Sequence, residues 1–124
     1  MSTYHAVVWI DHAEAHVLCF DPEHYEAQKI RSRSHHKHQG RASDAAAFFE
    51  EVHAALSGAK EVLLTGPGDM REEFAKWAKK HHPEGVARFV QSVPADHPSD
   101  GQLVALARTY FHGYDQMSAD PARK

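Results

Sequence analysis

The first third of the chain alternates short apolar runs with polar turns, a pattern typical of consecutive β-strands. Residues 5–10 and 16–20 are rich in β-branched and aromatic side chains, and residues 11–14 between them have the composition of a tight turn. A third strand is predicted over residues 25–33, followed by a polar loop at 34–41. These segments predict a three-stranded antiparallel meander.

Apolar residues then recur at helical spacing. Ser43 is the predicted N-cap of a first helix, and Gly58 is its predicted end. The apolar stripe of this helix consists of Ala45, Phe48, Phe49, Val52, Ala55 and Leu56. A short strand, buried on both faces, is predicted over residues 61–65.

Strand and helix alternate in the rest of the chain. Asp69 and Glu72 predict a capping pair at the start of a second helix, and Ser99 with Gln102 predicts the start of a third. A strand is predicted between them, over residues 86–93. The predicted stripes are Met70, Phe74, Trp77 and Ala78 for the second helix, and Leu103, Leu106, Ala107, Tyr110, Phe111 and Tyr114 for the third.

The element order β-β-β-α-β-α-β-α predicts a single-domain α/β fold. We expect a mixed five-stranded sheet with three helices, in which the later strands are parallel, and ribonuclease H-like folds have this order. The length of 124 residues suits one domain. Residues 1–116 are assigned to the domain and residues 117–124 to a polar C-terminal tail.

The composition is that of a globular protein, with 42% hydrophobic and 25% charged residues. The single cysteine, Cys19, cannot form an internal disulfide, and no charged-then-apolar leader opens the chain. We therefore expect a cytoplasmic protein. The apolar runs are far shorter than a membrane span, so no membrane partner is expected.

Positive charge is concentrated between residues 29 and 41. Removing the five Lys and Arg of this segment from the 14 in the chain leaves nine, against 17 Asp and Glu. No acidic residue lies between Ala27 and Ser43. The candidate RNA- and phosphate-binding residues are Lys29, Arg31, Arg33, His35, His36, Lys37, His38, Gln39 and Arg41.

This basic segment has two further interpretations. It could be a solvated turn whose charges aid solubility. The three neighbouring histidines, His35, His36 and His38, could also bind a metal, because neutral imidazole is the commonest metal ligand. No Cys or carboxylate lies nearby in the sequence to complete a tetrahedral site, so we expect no metal.

Two other motifs could carry chemistry. Gly66, Gly68 and Asp69 lie at a strand-to-helix turn that could hold an anion, although glycines also permit sharp turns and Asp is itself a cap. Asp11, Asp69, Asp96 and Asp100 fall near predicted strand ends. Carboxylates that converge at one sheet edge could bind two divalent cations for phosphodiester cleavage, but each is also a common turn residue.

Several segments resemble a known family. The run from Val62 to Phe74, with its Gly-Pro-Gly turn, resembles the central domain of Pelota and of archaeal and eukaryotic class-1 peptide-chain release factors. Residues 8–15 are similar to the opening hairpin of that domain, and the loop at 34–43 matches the position of the release-factor catalytic loop. The chain also resembles small bacterial translational machinery proteins. The resemblance extends from about Tyr4 to Tyr114.

The resemblance implies a ribonuclease H-like fold and the ribosome or a structured RNA as partner. In release factors a Gly-Gly-Gln tip helps water attack the peptidyl-tRNA ester. Gln39 is present here, but Lys37 and His38 replace the two glycines, and Pelota also lacks the tripeptide. We therefore expect translation-related docking without peptide release and without a cofactor.

Other functions remain open at this point. Gln39 would position water in a peptidyl-tRNA esterase, and Asp11 would bind metal in a nuclease. A scaffold or anion-binding domain would use the Gly66–Asp69 turn. A homo-oligomer is also compatible with the predicted meander, whose edge strand would be open to pairing.

Overall fold

The computed structural model describes residues 5–32 and 42–119. Five strands and three α-helices follow one another, with a 3₁₀ helix at Pro83–Arg88. The strands are β1 (His5–Ile10), β2 (Glu14–Phe20), β3 (Tyr25–Arg31), β4 (Glu61–Gly66) and β5 (Phe89–Pro94), and the α-helices are α1 (Ala42–Ala55), α2 (Met70–His81) and α3 (Asp100–Ala119). Within the described ranges, no helix is long and apolar enough to cross a membrane.

The five strands form one mixed sheet in the order β3-β2-β1-β4-β5. β2 pairs antiparallel with both β1 and β3, whereas β4 pairs parallel with both β1 and β5. The predicted single-domain α/β fold, with a mixed five-stranded sheet, parallel later strands and three helices, is confirmed. Crossover helices between the parallel strands produce this arrangement.

Both faces of the sheet are covered. Alternate residues of β1 point to opposite faces, and Val7 and Val8 are both fully buried. One core joins the sheet to α1 and α2 and includes Ala6, Val8, Ile10, Phe48, Phe49, Val52, Leu64 and Phe74. The other joins the sheet to α3 and includes Val7, Trp9, Leu18, Phe20, Leu63, Leu103, Ala107 and Phe111.

The predicted cap of α3 is confirmed, and that of α2 is wrong. Ser99 Oγ accepts from the Gln102 backbone N–H over 3.2 Å, and Gln102 Oε1 accepts from the Ser99 backbone N–H over 2.9 Å. Asp69 precedes α2 but its side chain makes no capping hydrogen bond. Its backbone carbonyl instead accepts from the N–H groups of Glu72 and Glu73.

Several predicted boundaries also differ from the structure. α1 begins at Ala42, so Ser43 lies inside the helix and is not its N-cap. β5 begins at Phe89 because Pro83, with its φ fixed near the helical value, starts the 3₁₀ helix that occupies the first part of the predicted strand. β3 ends at Arg31, and α3 continues through Ala119, three residues into the predicted tail.

The buried stripe of α3 is rotated slightly from the prediction. Leu106 is 42% exposed, whereas Val104, outside the predicted stripe, is only 1% exposed. Among the described helices, only α3 packs into the core on this face of the sheet. Residues on its flank, such as Leu106, therefore lie beside the core and not inside it.

Candidate nucleic-acid interface at the carboxyl end of the sheet

Four strands end at the same edge of the sheet. β1, β3, β4 and β5 run in one direction, so their last residues lie along one edge. The turn at residues 11–13 and the connections at 67–69 and 95–99 follow these strand ends. In open α/β sheets, ligands bind beyond the carboxyl ends of the strands. A functional site is therefore expected at this edge.

Two residues of the basic segment lie in the described part of the chain. Lys29 and Arg31 are two apart on β3, so they share one face, and both are exposed. Lys29 Nζ lies 3.8 Å from Glu14 Oε1 on the neighbouring strand. The other predicted docking residues, Arg33, His35, His36, Lys37, His38, Gln39 and Arg41, fall outside the described residues.

Glu14 and His16 were missed as partners of this basic face. In the strand register, Glu14 lies opposite Arg31 and His16 lies opposite Lys29. The hydrogen bond from His16, followed by the charges of Lys29 and Arg31, lowers the pKa of Glu14. Glu14 was predicted to lie in the turn at residues 11–14, whereas β2 begins at this residue. Its spacing of two residues from His16 was the available signal, because on one strand it places both side chains on one face.

His16 lies between two carboxylates. Its Nδ1 is 3.0 Å from Asp100 Oδ1, and its Nε2 is 3.0 Å from Glu14 Oε2. Burial by itself would lower the pKa of His16, but the hydrogen bonds to Glu14 and Asp100, together with their charges, raise it overall. The protonated ring can donate to both carboxylates and thereby joins β2 to the first residue of α3.

Trp9 lies beside His16 at the end of β1. The two rings meet edge to face with their centroids 5.5 Å apart. The indole N–H donates to the Asp96 carbonyl over 2.6 Å, and Trp9 is only 2% exposed. Trp9 therefore belongs to the core, and its N–H fixes the connection between β5 and α3.

The four aspartates proposed for a nuclease make separate contacts. Asp11 Oδ1 accepts from the backbone N–H groups of Ala13 and Glu14, which closes the turn between β1 and β2. Asp69 lies 3.7 Å from His12 Nε2, Asp100 binds His16, and the backbone of Asp96 binds Trp9. Within residues 5–32 and 42–119, no group of three or more His, Cys, Asp or Glu side chains could hold a metal ion.

The Gly-Pro-Gly turn is held by an internal cation. Arg71 Nη1 donates to the Gly68 carbonyl over 2.6 Å and to the Gly66 carbonyl over 3.4 Å, while Arg71 Nε donates to Ser92 Oγ. At the start of α2, two backbone N–H groups are already bonded to the Asp69 carbonyl. The described contacts therefore give this turn a structural role, and an anion site there stays a prediction.

Gly66 is required by a close approach of two strands. It has a φ of 153°, and a Cβ at this position would overlap the Ile10 carbonyl oxygen of β1. The glycine lets the end of β4 lie against the end of β1. This contact brings the turn after β4 next to the turn after β1.

No protein-family model and no curated protein matches this chain. Solved structures do match. Pelota from Thermoplasma acidophilum shares the fold with a TM-score of 0.65 and 21% sequence identity, over 98% of this chain and 34% of that chain. The resemblance to Pelota expected from the sequence is confirmed at the level of the fold.

Two further solved structures share this fold. A structure described as a model of ribosome-bound archaeal Pelota and ABCE1 matches with a TM-score of 0.59 and 18% identity over 85% of this chain and 33% of that chain. Dom34 of S. cerevisiae, described as a translation termination-like factor that acts in RNA quality control and interacts with Hbs1, matches with a TM-score of 0.53 and 14% identity, over 98% of this chain and 34% of that chain. This chain spans about one third of the length of each structure.

Proposed function

We propose that this chain is a translation-associated module that binds the phosphates of a structured RNA, with the ribosome as its partner, through residues 29–41. The fold it shares with a ribosome-bound Pelota supports the ribosomal setting. We further propose that the fold is ribonuclease H-like and that the module acts in the cytoplasm, without peptide release. Lys37 and His38 stand where a release factor has glycines.

The observation that carries the proposal is the basic face of β3. Lys29 and Arg31 are exposed on one face of an edge strand, at the edge of the sheet where ligands of open α/β folds bind. Three more Lys and Arg and three His follow directly in the sequence. Such a cluster binds a polyanion by neutralising phosphates and releasing counterions.

The protein's own acidic groups offset little of this charge within the described part of the chain. Lys29 has one carboxylate neighbour, Glu14, at 3.8 Å, and the same carboxylate group also binds His16 at 3.0 Å. An ion pair with a half-exposed lysine contributes only about 0–1 kcal/mol. Phosphates can therefore compete for this cation at little cost.

Ribosome cosedimentation at moderate salt tests the proposal. The test variant replaces four cations with glutamine: Arg31→Gln, Arg33→Gln, Lys37→Gln and Arg41→Gln. The matched control preserves every charge: Arg31→Lys, Arg33→Lys, Lys37→Arg and Arg41→Lys. We expect the wild type and the control to pellet with ribosomes and the glutamine variant to remain in the supernatant, because each lost phosphate contact weakens binding. Equal pelleting of all three proteins would refute docking through this segment.

A further inference from the structure

A second group of cations lies on α2. Lys76, Lys79 and Lys80 are exposed, and their spacing of three and four residues places them on one side of the helix. The opposite side carries Phe74 and Ala78, which are fully buried against the sheet. The three side chains therefore point away from the core. We call Lys76, Lys79 and Lys80 the lysine face of α2.

No described acidic group forms an ion pair with the lysine face. Acidic side chains around the amino ends of β4 and β5 contact imidazoles instead. Glu61 lies 2.9 Å from His5 Nε2, and Glu50 and Glu84 lie 3.3 Å and 3.8 Å from the ring nitrogens of His82. The described acidic groups therefore leave Lys79 and Lys80 available to an external partner.

Helix stability explains only part of this arrangement. Lys79 and Lys80 lie in the last turn, where a cation interacts favourably with the helix dipole. Lys76 lies one turn earlier, where the repulsion from Lys79 and Lys80 is offset by attraction to Glu72 and Glu73 in the turn before it. Lys79 and Lys80 have no acidic residue three or four positions earlier in the helix, so an anion bound across the lysine face would relieve their mutual repulsion.

The lysine face is separate from Lys29 and Arg31, the two cations of the basic segment that lie in the described part of the chain. α2 begins directly after the turn at the carboxyl edge and runs towards the opposite edge, with a rise of about 1.5 Å per residue. Lys79 and Lys80 therefore lie about 15 Å along the helix from that edge. One surface cannot replace the other in a contact with a single phosphate.

We propose that the lysine face of α2 is a second RNA-binding surface, which contacts the phosphate backbone independently of residues 29–41. This inference rests on the proposed function, since it assigns a second contact to the same polyanionic partner. RNA fits the arrangement because its phosphates repeat along a strand, so two separated cationic surfaces can engage one molecule. Lysine supplies point charges on long stems and needs no fixed geometry to reach phosphates.

Salt-dependent RNA binding tests this inference on the full chain. Fluorescence anisotropy of a fluorescein-labelled RNA stem-loop gives the association constant over a series of salt concentrations. The variants are Lys76→Gln, Lys79→Gln and Lys80→Gln combined, and the charge-preserving Lys76→Arg, Lys79→Arg and Lys80→Arg combined. Circular dichroism verifies that both fold, as expected for exposed positions.

The glutamine variant should bind more weakly, and the slope of log K against log salt should fall in magnitude by about 2–3. The arginine variant should keep the wild-type slope. If the wild type binds and the glutamine variant has the same affinity and slope, the lysine face is not a contact, while the proposed function stands. Loss of binding in the arginine variant, or binding of the wild type to phosphatidylglycerol vesicles but not to the stem-loop, would also overturn the inference.

The variant neutralised at residues 31–41 separates the two proposals. If it binds the stem-loop like the wild type while the α2 glutamine variant does not, docking through residues 29–41 fails and the lysine face stands. If the wild type binds neither ribosomes nor the stem-loop, the proposed function fails and the inference falls with it.

Discussion

His53 of α1 and His82, which follows α2, stack with their ring centroids 3.9 Å apart and their planes 13° apart. Arg88 Nη2 lies 3.1 Å from His53 Nε2, so the guanidinium donates and this imidazole nitrogen accepts. Arg88 also donates to the Leu56 and Ala59 carbonyls beyond the end of α1. The neutral form of His53 is therefore part of the contact between α1 and the 3₁₀ helix.

Acidification should weaken this contact. Burial, followed by the charges of His82 and Arg88, lowers the pKa of His53. His53 is therefore protonated at a higher pH in the unfolded chain than in the folded protein. As the pH falls below about 6.5, this difference should lower the free energy of unfolding. His53→Gln keeps an acceptor for Arg88 but does not titrate. Urea denaturation at about pH 7.5 and about pH 5.5 should show a smaller decrease for this variant than for the wild type. Equal decreases would contradict the prediction.

Protonation of His16 should instead increase the free energy of unfolding. Its pKa is raised overall, because its hydrogen bonds to Glu14 and Asp100 outweigh its burial, so its stabilisation is complete below about pH 6.5 and is lost as the pH rises through the folded-state pKa. His16→Gln should lower the free energy of unfolding by about 1.5 kcal/mol near pH 6, and by less near pH 9. His12→Gln is the control, because His12 is mostly exposed and lies 3.7 Å from Asp69. Urea denaturation of both variants at the two pH values measures the difference, and a pH-independent effect at His16 would exclude the ionic contact.

Gly66 and Gly68 offer a matched pair within one turn. Gly66→Ala should lower the free energy of unfolding by roughly 1–3 kcal/mol, because the new Cβ meets the Ile10 carbonyl at a φ that favours glycine. Gly68→Ala should change stability little, since no atom within 4 Å would contact its Cβ. Thermal unfolding of the two variants distinguishes a close approach of the strands from a general effect of alanine in the turn. Similar losses at both positions would contradict the assignment.

Alanine substitutions at Ser99, before α3, and at Asp69, before α2, should have different effects on stability. Ser99→Ala removes an acceptor for the Gln102 N–H and should cost about 1 kcal/mol. Asp69→Ala should cost less than about 0.5 kcal/mol, because this side chain makes no capping hydrogen bond and is mostly exposed. Chemical denaturation provides both values. A larger loss at Asp69 than at Ser99 would show that Asp69 does cap α2.

Local periodicity was sufficient to predict the five strands and the three α-helices, but not the 3₁₀ helix. The apolar runs at residues 5–10 and 61–65 correspond to β1 and β4, and the Ser99–Gln102 pair forms the cap that its spacing predicts. The predicted strand over residues 86–93 was wrong at residues 86–88, because Val86 continued the apolar pattern of the following strand, whereas Pro83 favoured a helical turn. Short apolar runs do not distinguish these outcomes.

The contacts at the carboxyl edge depend on residues far apart in the chain. His16 and Asp100 are 84 residues apart, and Trp9 reaches Asp96 across 87. Periodicity places each residue on a face of its own element but carries no information on which element lies opposite. The sequence therefore predicted Asp100 as a possible metal ligand, while the structure uses it to bind a histidine.

The position of Trp9 has a practical consequence. Its indole lies 5.5 Å from His16 at one end of the sheet, whereas the other tryptophan, Trp77, lies 5.3 Å from His82, near the opposite end. Indole emission is sensitive to a charge on a neighbouring ring, so each tryptophan is a natural optical probe of the histidines beside it. In a Trp77→Phe variant, the fluorescence of Trp9 would report on the carboxyl edge alone. Binding of the proposed RNA partner at this edge would then be measurable by intrinsic fluorescence, without any attached dye.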